Sequence, residues 1–147
     1  QYTRFGAMIA TSTALMLGLM YLNTYAFDHI YWSETRAYMA LVMGAAMAIV
    51  MLAFMQGMYE KTKANAAIFL SAVIVFAGSL YLVRSQETID DVSWMKAMIP
   101  HHSIAILTSE RANIADPRVR ELADKIIEAQ RQEIAQMKAL IADIEDR

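Results

Sequence analysis

Cysteine is absent from this 147-residue chain, which excludes a disulfide framework, a zinc–thiolate site and a thiol nucleophile together. Histidine is scarce: there are three, and none completes a Glu-x-x-His or His-Glu-x-x-His sequence. A ferritin-like di-iron centre and a zincin therefore lack the ligand spacing they need. Ser103 and Ser109 lie near two of the histidines, but no orienting acid or oxyanion-hole motif accompanies them, so serine hydrolysis has no specific signal either. An excess of positive charge is missing too. Up to Glu87 the chain carries five basic and four acidic residues, and from Thr88 onward eight basic and eleven acidic, so neither part offers a basic nucleic-acid surface. The residues point to no enzyme class, and the expectation is a protein without catalytic activity.

What the chain does have is apolar length. Hydrophobic residues make up 57% of it, concentrated in three uncharged runs at residues 5–27, 37–59 and 64–83. Each supplies about the 20 apolar residues that a helix needs to cross roughly 30 Å of hydrocarbon. The first lacks a small-residue cleavage pattern and is followed by two comparable segments, which favours three transmembrane helices over a signal peptide. Lys61 and Lys63 in the second connector, with Arg4 on the same side, place that side in the cytoplasm. Tyr21, Tyr25, Tyr31, Trp32 and Tyr38 gather around the first, outer connection, as an interfacial aromatic belt does. The expectation is a bacterial inner-membrane protein with a cytoplasmic N-terminus, a membrane domain over 1–87 and a periplasmic domain over 88–147.

Residues 88–147 read as a helical hairpin. Thr88-x-x-Asp91 resembles a capping box, and Asp116-Pro117 combines an N-cap with a proline at the first helical position. Helices are expected over about 89–115 and 117–144, the first kinked at Pro100, which lacks an amide hydrogen. Two helices bury too little surface to stand alone. The hairpin is therefore expected to pack on the membrane domain or, as the simpler solution, to homo-oligomerise, two copies completing a four-helix bundle.

In the second helix Val119, Ala123, Ile126, Gln130, Glu133, Met137, Leu140 and Ile144 recur at spacings of three and four and form one stripe. Gln130 and Glu133 interrupt it, and a buried amide and carboxylate need partners. In the first helix Asp91, Met95, Met98 and His102 share a face, with His101 beside it. Facing stripes bring imidazole, thioether and carboxylate together. Thioethers suit Cu(I) or Ag(I), imidazole suits Cu(II) as well, and a carboxylate either ligates or orients a histidine. The same residues also fit a metal-free reading, in which the methionines fill a core and the polar groups form a hydrogen-bonded network inside an assembly protein.

The run Met95-x-x-Met98-Ile99-x-His101-His102-x-x-Ala105-Ile106, followed by Pro117-x-Val119-Arg120-x-Leu122-Ala123 and Gln130-x-x-Glu133-Ile134-x-x-Met137, resembles domain-of-unknown-function family 305, the CopM-like proteins. The likeness covers roughly residues 90–144. It implies a ferritin-like, all-helical domain, commonly exported, with some members linked to copper or silver binding and resistance. Carried over by position, the pattern falls on Met95, Met98, His101, His102, Gln130, Glu133 and Met137. Of these, Met95, Met98, His101, His102, Glu133 and Met137 are the expected metal ligands, with Asp91 and Gln130 orienting them from behind. Where the pattern commonly has methionine six residues after the second histidine, this chain has Thr108, so one thioether is missing.

Two further features lie outside the hairpin. Met39, Met43, Met47, Met51 and Met55 recur every fourth residue, covering about 24 Å of one helix face. Such a ladder is expected to pack rather than conduct ions, and Gly44 and Ala48 beside it favour close helix contact. His29 stands in the outer connector, where no spacing ties it to the other histidines, and it reads as an ordinary interfacial polar residue.

Overall fold

A computed structural model describes all 147 residues as an all-helical chain without strands. Its helices are α1 (Tyr2–Leu19), α2 (Glu34–Phe54), α3 (Thr62–Ser85), α4 (Asp91–Arg111) and α5 (Pro117–Glu145). They form two compact units, one made of Gln1–Met20 and Thr35–Thr88, the other of Tyr21–Glu34 and Ile89–Arg147.

In the first unit, α2 and α3 are long and apolar enough to cross a membrane. The apolar run over 5–27 does not become one helix. α1 stops after 18 residues, and the chain then turns through Asn23 and Thr24, whose hydroxyl donates to the Tyr21 carbonyl at 3.0 Å. Phe5, Ala48, Leu52, Tyr59 and Ala72 form the core of this unit. The Tyr59 ring meets the edge of Phe5 at 5.5 Å, and the Tyr2 hydroxyl donates to Asn65 Oδ1 at 2.8 Å. α1 and α2 approach closely at Gly44, where an added Cβ would lie 2.2 Å from Thr13 Oγ1. Small side chains at Ala40, Gly44 and Ala48 make that approach possible. Of the methionine ladder, Met51 and Met55 pack against the core, while Met39 is exposed.

The second unit is built on the antiparallel pair α4 and α5. Asp90 caps α4 by accepting from the Ser93 amide at 2.7 Å. The expected cap at Thr88 is not used, and its hydroxyl shares a hydrogen bond with the Tyr38 hydroxyl at 2.9 Å. The aspartate sits immediately before the first helical residue, and its charge opposes the positive end of the helix. α4 runs unbroken through Pro100 and ends at Arg111, short of residue 115. Asp116 caps α5 through the Arg118 amide at 2.9 Å, and Pro117 takes the first turn.

The hairpin core consists of Met95, Ile99 and Ile106 from α4 with Ile134, Met137 and Ile141 from α5, against which Ile127 and Met98 pack. This corrects the expected phase of α5. Val119, Ile126, Leu140 and Ile144 are exposed, and the buried stripe is rotated by about one residue to Ala123, Ile127, Ile134, Met137 and Ile141. α5 carries two neighbouring apolar stripes, and its isoleucines at intervals of seven are the ones that meet α4.

Candidate functional site

The site begins with one turn of α4. His102 is buried, and its Nδ1 lies 3.0 Å from the carbonyl oxygen of Met98, four residues earlier. A carbonyl only accepts, so Nδ1 carries a proton and donates it. The ring is thereby fixed with Nε2 toward α5, where Glu133 Oε2 lies at 2.6 Å. That distance is within hydrogen-bonding range and ties the ring to the carboxylate across the two helices. Glu133 is half in water, its side chain 53% exposed, so it can leave Nε2 without breaking the core.

Thioethers flank this pair. Met98 is one turn before His102 on α4 and Met137 is one turn after Glu133 on α5, so in an antiparallel hairpin both lie on the same side of the pair. Met95 and Met137 are buried in the common core and Met98 packs against it. Five of the expected residues, Met95, Met98, His102, Glu133 and Met137, therefore belong to one neighbourhood. Gln130 is half-buried, one turn from Glu133 on the side away from Met137.

Two expected members fall outside it. The His101 ring is exposed, with its centroid 6.3 Å from that of His102 and its plane turned by 62°. Successive helical residues point about 100° apart, so the two histidines cannot both face α5. Asp91 is exposed at the start of α4, about 16 Å along the axis from His102 at 1.5 Å per residue. No three imidazole or carboxylate groups converge anywhere in the chain.

The expected side of the membrane put His29 within reach of the hairpin, but no spacing tied the two together; segment 21–34 docks on it. Ser103, fully buried, receives the Tyr25 amide at 2.6 Å and shares a hydrogen bond with His29 Nδ1 at 2.8 Å. Asp28 pairs with Lys138, the Arg131 guanidinium lies 5.8 Å from the Tyr25 ring centre, and Tyr31 packs on the core. Burial pushes the His29 imidazole below its ordinary pKa, an effect that Asp28 opposes and Lys138 reinforces. The neutral ring accepts the Ser103 proton at Nδ1. Lys138 in turn holds the Asp28 carboxyl below its usual value, chiefly by hydrogen bonding. His29 is thus a docking residue rather than a free interfacial one. The available signal was Ser103 itself, a hydroxyl between Ile99 and Ile106 on the buried face of α4.

Residues 80–145 match the family described as Domain of unknown function (DUF305). An uncharacterized protein of Acanthamoeba polyphaga mimivirus is 32% identical over 136 residues, 91% of this chain and 88% of that relative. The chain belongs to the DUF305 family. The DUF305 segment contains every residue of the candidate site, and the likeness to the viral relative extends well beyond it into the remaining helices. No solved structure matches.

The donor set of this DUF305 hairpin fits a soft monovalent ion better than a hard divalent one. One imidazole nitrogen is oriented by a backbone carbonyl, as ligating histidines commonly are. Met95, Met98 and Met137 share the hairpin core in the neighbouring turns, and thioethers prefer Cu(I) or Ag(I), whereas no three imidazole or carboxylate groups converge as a hard ion requires.

Proposed function

We propose that this protein is a membrane-anchored copper- or silver-binding protein that captures or buffers the ion on the outer face of a membrane, as in metal tolerance. The observation that carries the reading is the buried His102, fixed by the Met98 carbonyl with Nε2 directed at a displaceable carboxylate and thioethers in the adjacent turn. His102 Nε2, Met98 and Met137 would hold the ion, with Met95 behind them. Glu133 would release Nε2 and balance charge, and Gln130 would border the site. The exposed His101 would serve as a point of entry. When bound, the ion supplies no catalytic step; it is cargo.

In this reading α1 joins α2 and α3 as a third membrane span, the N-terminus is cytoplasmic, and in a bacterium the hairpin faces the periplasm. Two hairpins form a ferritin-like four-helix bundle through the exposed stripe of Val119, Leu122, Ile126, Leu140 and Ile144 on α5. That stripe also favours a second reading, a metal-free assembly protein whose hairpin only joins subunits.

Metal content separates the two. The purified protein loaded with copper under reducing and oxidising conditions is expected to retain a stoichiometric amount, and His102→Ala to lose it while the oligomer persists. His101→Ala is expected to retain most of it. No retained copper in either redox state would leave the assembly reading.

A further inference from the structure

Segment 21–34 is held to the hairpin by polar contacts: the Tyr25 amide and His29 bind Ser103, and Asp28, itself largely exposed, pairs with Lys138. Left outward are Leu22, 77% exposed, Phe27, 93% exposed, and the exposed side chains of Ile30 and Trp32. Four large apolar side chains within eleven residues make a patch of the kind that marks an interaction surface.

The neighbouring chain says what the patch meets. Two residues after Trp32 the chain enters α2, long and apolar enough to span a membrane. Segment 21–34 is therefore tied to the end of a candidate span, where tryptophan and other large side chains settle at the boundary between headgroups and acyl chains. We infer that Leu22, Phe27, Ile30 and Trp32 insert into that boundary, and that the docking of the segment on Ser103 and Lys138 fastens the hairpin to the lipid surface. The inference needs α2 to cross the bilayer but does not need the hairpin to bind metal. It also revises the aromatic belt. Tyr31 belongs to the hairpin core and Tyr25 lies against Arg131, while Leu22, Phe27 and Ile30 take the lipid-facing positions.

The test uses the full chain in phosphatidylcholine vesicles. Trp32 and Trp94 are its only tryptophans, and both are exposed in the protein. Three single-tryptophan proteins follow: Trp94→Phe, Trp32→Phe, and Phe27→Trp combined with both. Lipids brominated near the headgroup are expected to quench Trp32 and the tryptophan placed at position 27 at least twofold, with little quenching by aqueous acrylamide. Trp94 is expected to show the reverse.

Position 27 quenched by acrylamide and not by bromolipid would overturn the inference in favour of a solvent-facing loop. Shielding from both would overturn it in favour of a second copy covering the patch. If Phe27→Trp fails to fold, Trp32 in the Trp94→Phe protein carries the same test. For the fastening, Ser103→Val removes the hydroxyl that accepts from the Tyr25 amide and donates to His29, and is expected to raise tryptic cleavage within α5 severalfold, while bromolipid quenching of Trp32 persists. Unchanged cleavage would refute it.

Discussion

Ile134 and Ile126 lie eight residues apart on α5, and the corrected helix phase makes opposite demands of them. Ile134 is buried among Ile99, Ile106 and Met137, whereas Ile126 is exposed. Truncating a buried isoleucine to alanine removes about three carbons from apolar surroundings and leaves a partly collapsed cavity, a combined cost of about 2–5 kcal/mol. At an exposed position the same truncation changes stability by about 0.5 kcal/mol or less. At about 3 kcal/mol, Ile134→Ala is expected to lower amide protection across α4 and α5 by roughly two orders of magnitude, since each 1.4 kcal/mol is tenfold. Ile126→Ala is expected to change it less than about threefold. Hydrogen exchange on the full-length protein in micelles reads both. A larger loss at Ile126 than at Ile134, independent of protein concentration, would restore the first-expected stripe and refute the rotated phase. A loss at Ile126 that grows on dilution would instead mark the exposed stripe as an interface between copies.

Three other outcomes are expected. Gly44→Ala drives a methyl group into Thr13 and is expected to cost about 1–3 kcal/mol by overpacking; thermal unfolding should show partial recovery in the Thr13→Ala/Gly44→Ala double variant. Asp90→Ala is expected to increase amide exchange in the first turn of α4, while Thr88→Ala leaves that turn unchanged, because Asp90 is the residue that accepts from it. Acid is expected to loosen segment 21–34. Burial holds the folded His29 pKa below its ordinary value of 6.5, so its docking is complete above that pH and is lost as pH falls below it. Asp28, whose pKa is lowered from 3.8, adds its own loss only at more acidic pH. Exchange of the Tyr25 amide followed from pH 7.5 to 4.5 separates the two groups, and His29→Gln should flatten the profile.

Much of the helical framework was legible because its causes are local. Asp116-Pro117 starts α5 wherever the rest of the chain goes, and uncharged runs of twenty residues leave few alternatives to α2 and α3. Met98, His102, Glu133 and Met137 could be brought together because spacings of four on two antiparallel helices repeat in register. The phase of α5 was harder to read, since two apolar stripes differ by one residue and only the partner helix chooses between them. The end of α1 depends on a turn at Asn23 and Thr24 that hydrophobicity summed over the run conceals. His101 was grouped with His102 as its neighbour beside the face and by the family pattern, whereas its ring is exposed and turned 62° from that of His102. The docking of His29 on Ser103 is a contact between residues 74 positions apart, and no periodicity encodes it.

That separation has a consequence for the order of assembly. Segment 21–34 leaves the ribosome long before Ser103, and the chain between them contains two helices of its own. The segment therefore emerges with its amide, imidazole and carboxylate unmatched and must wait until the hairpin has been made. Closing so long a loop carries an entropic cost that grows only with the logarithm of its length, so α2 and α3 delay the clasp more than they weaken it. Docking of His29 on Ser103 is accordingly a late event, and it reports that segment 21–34 and the finished hairpin have met.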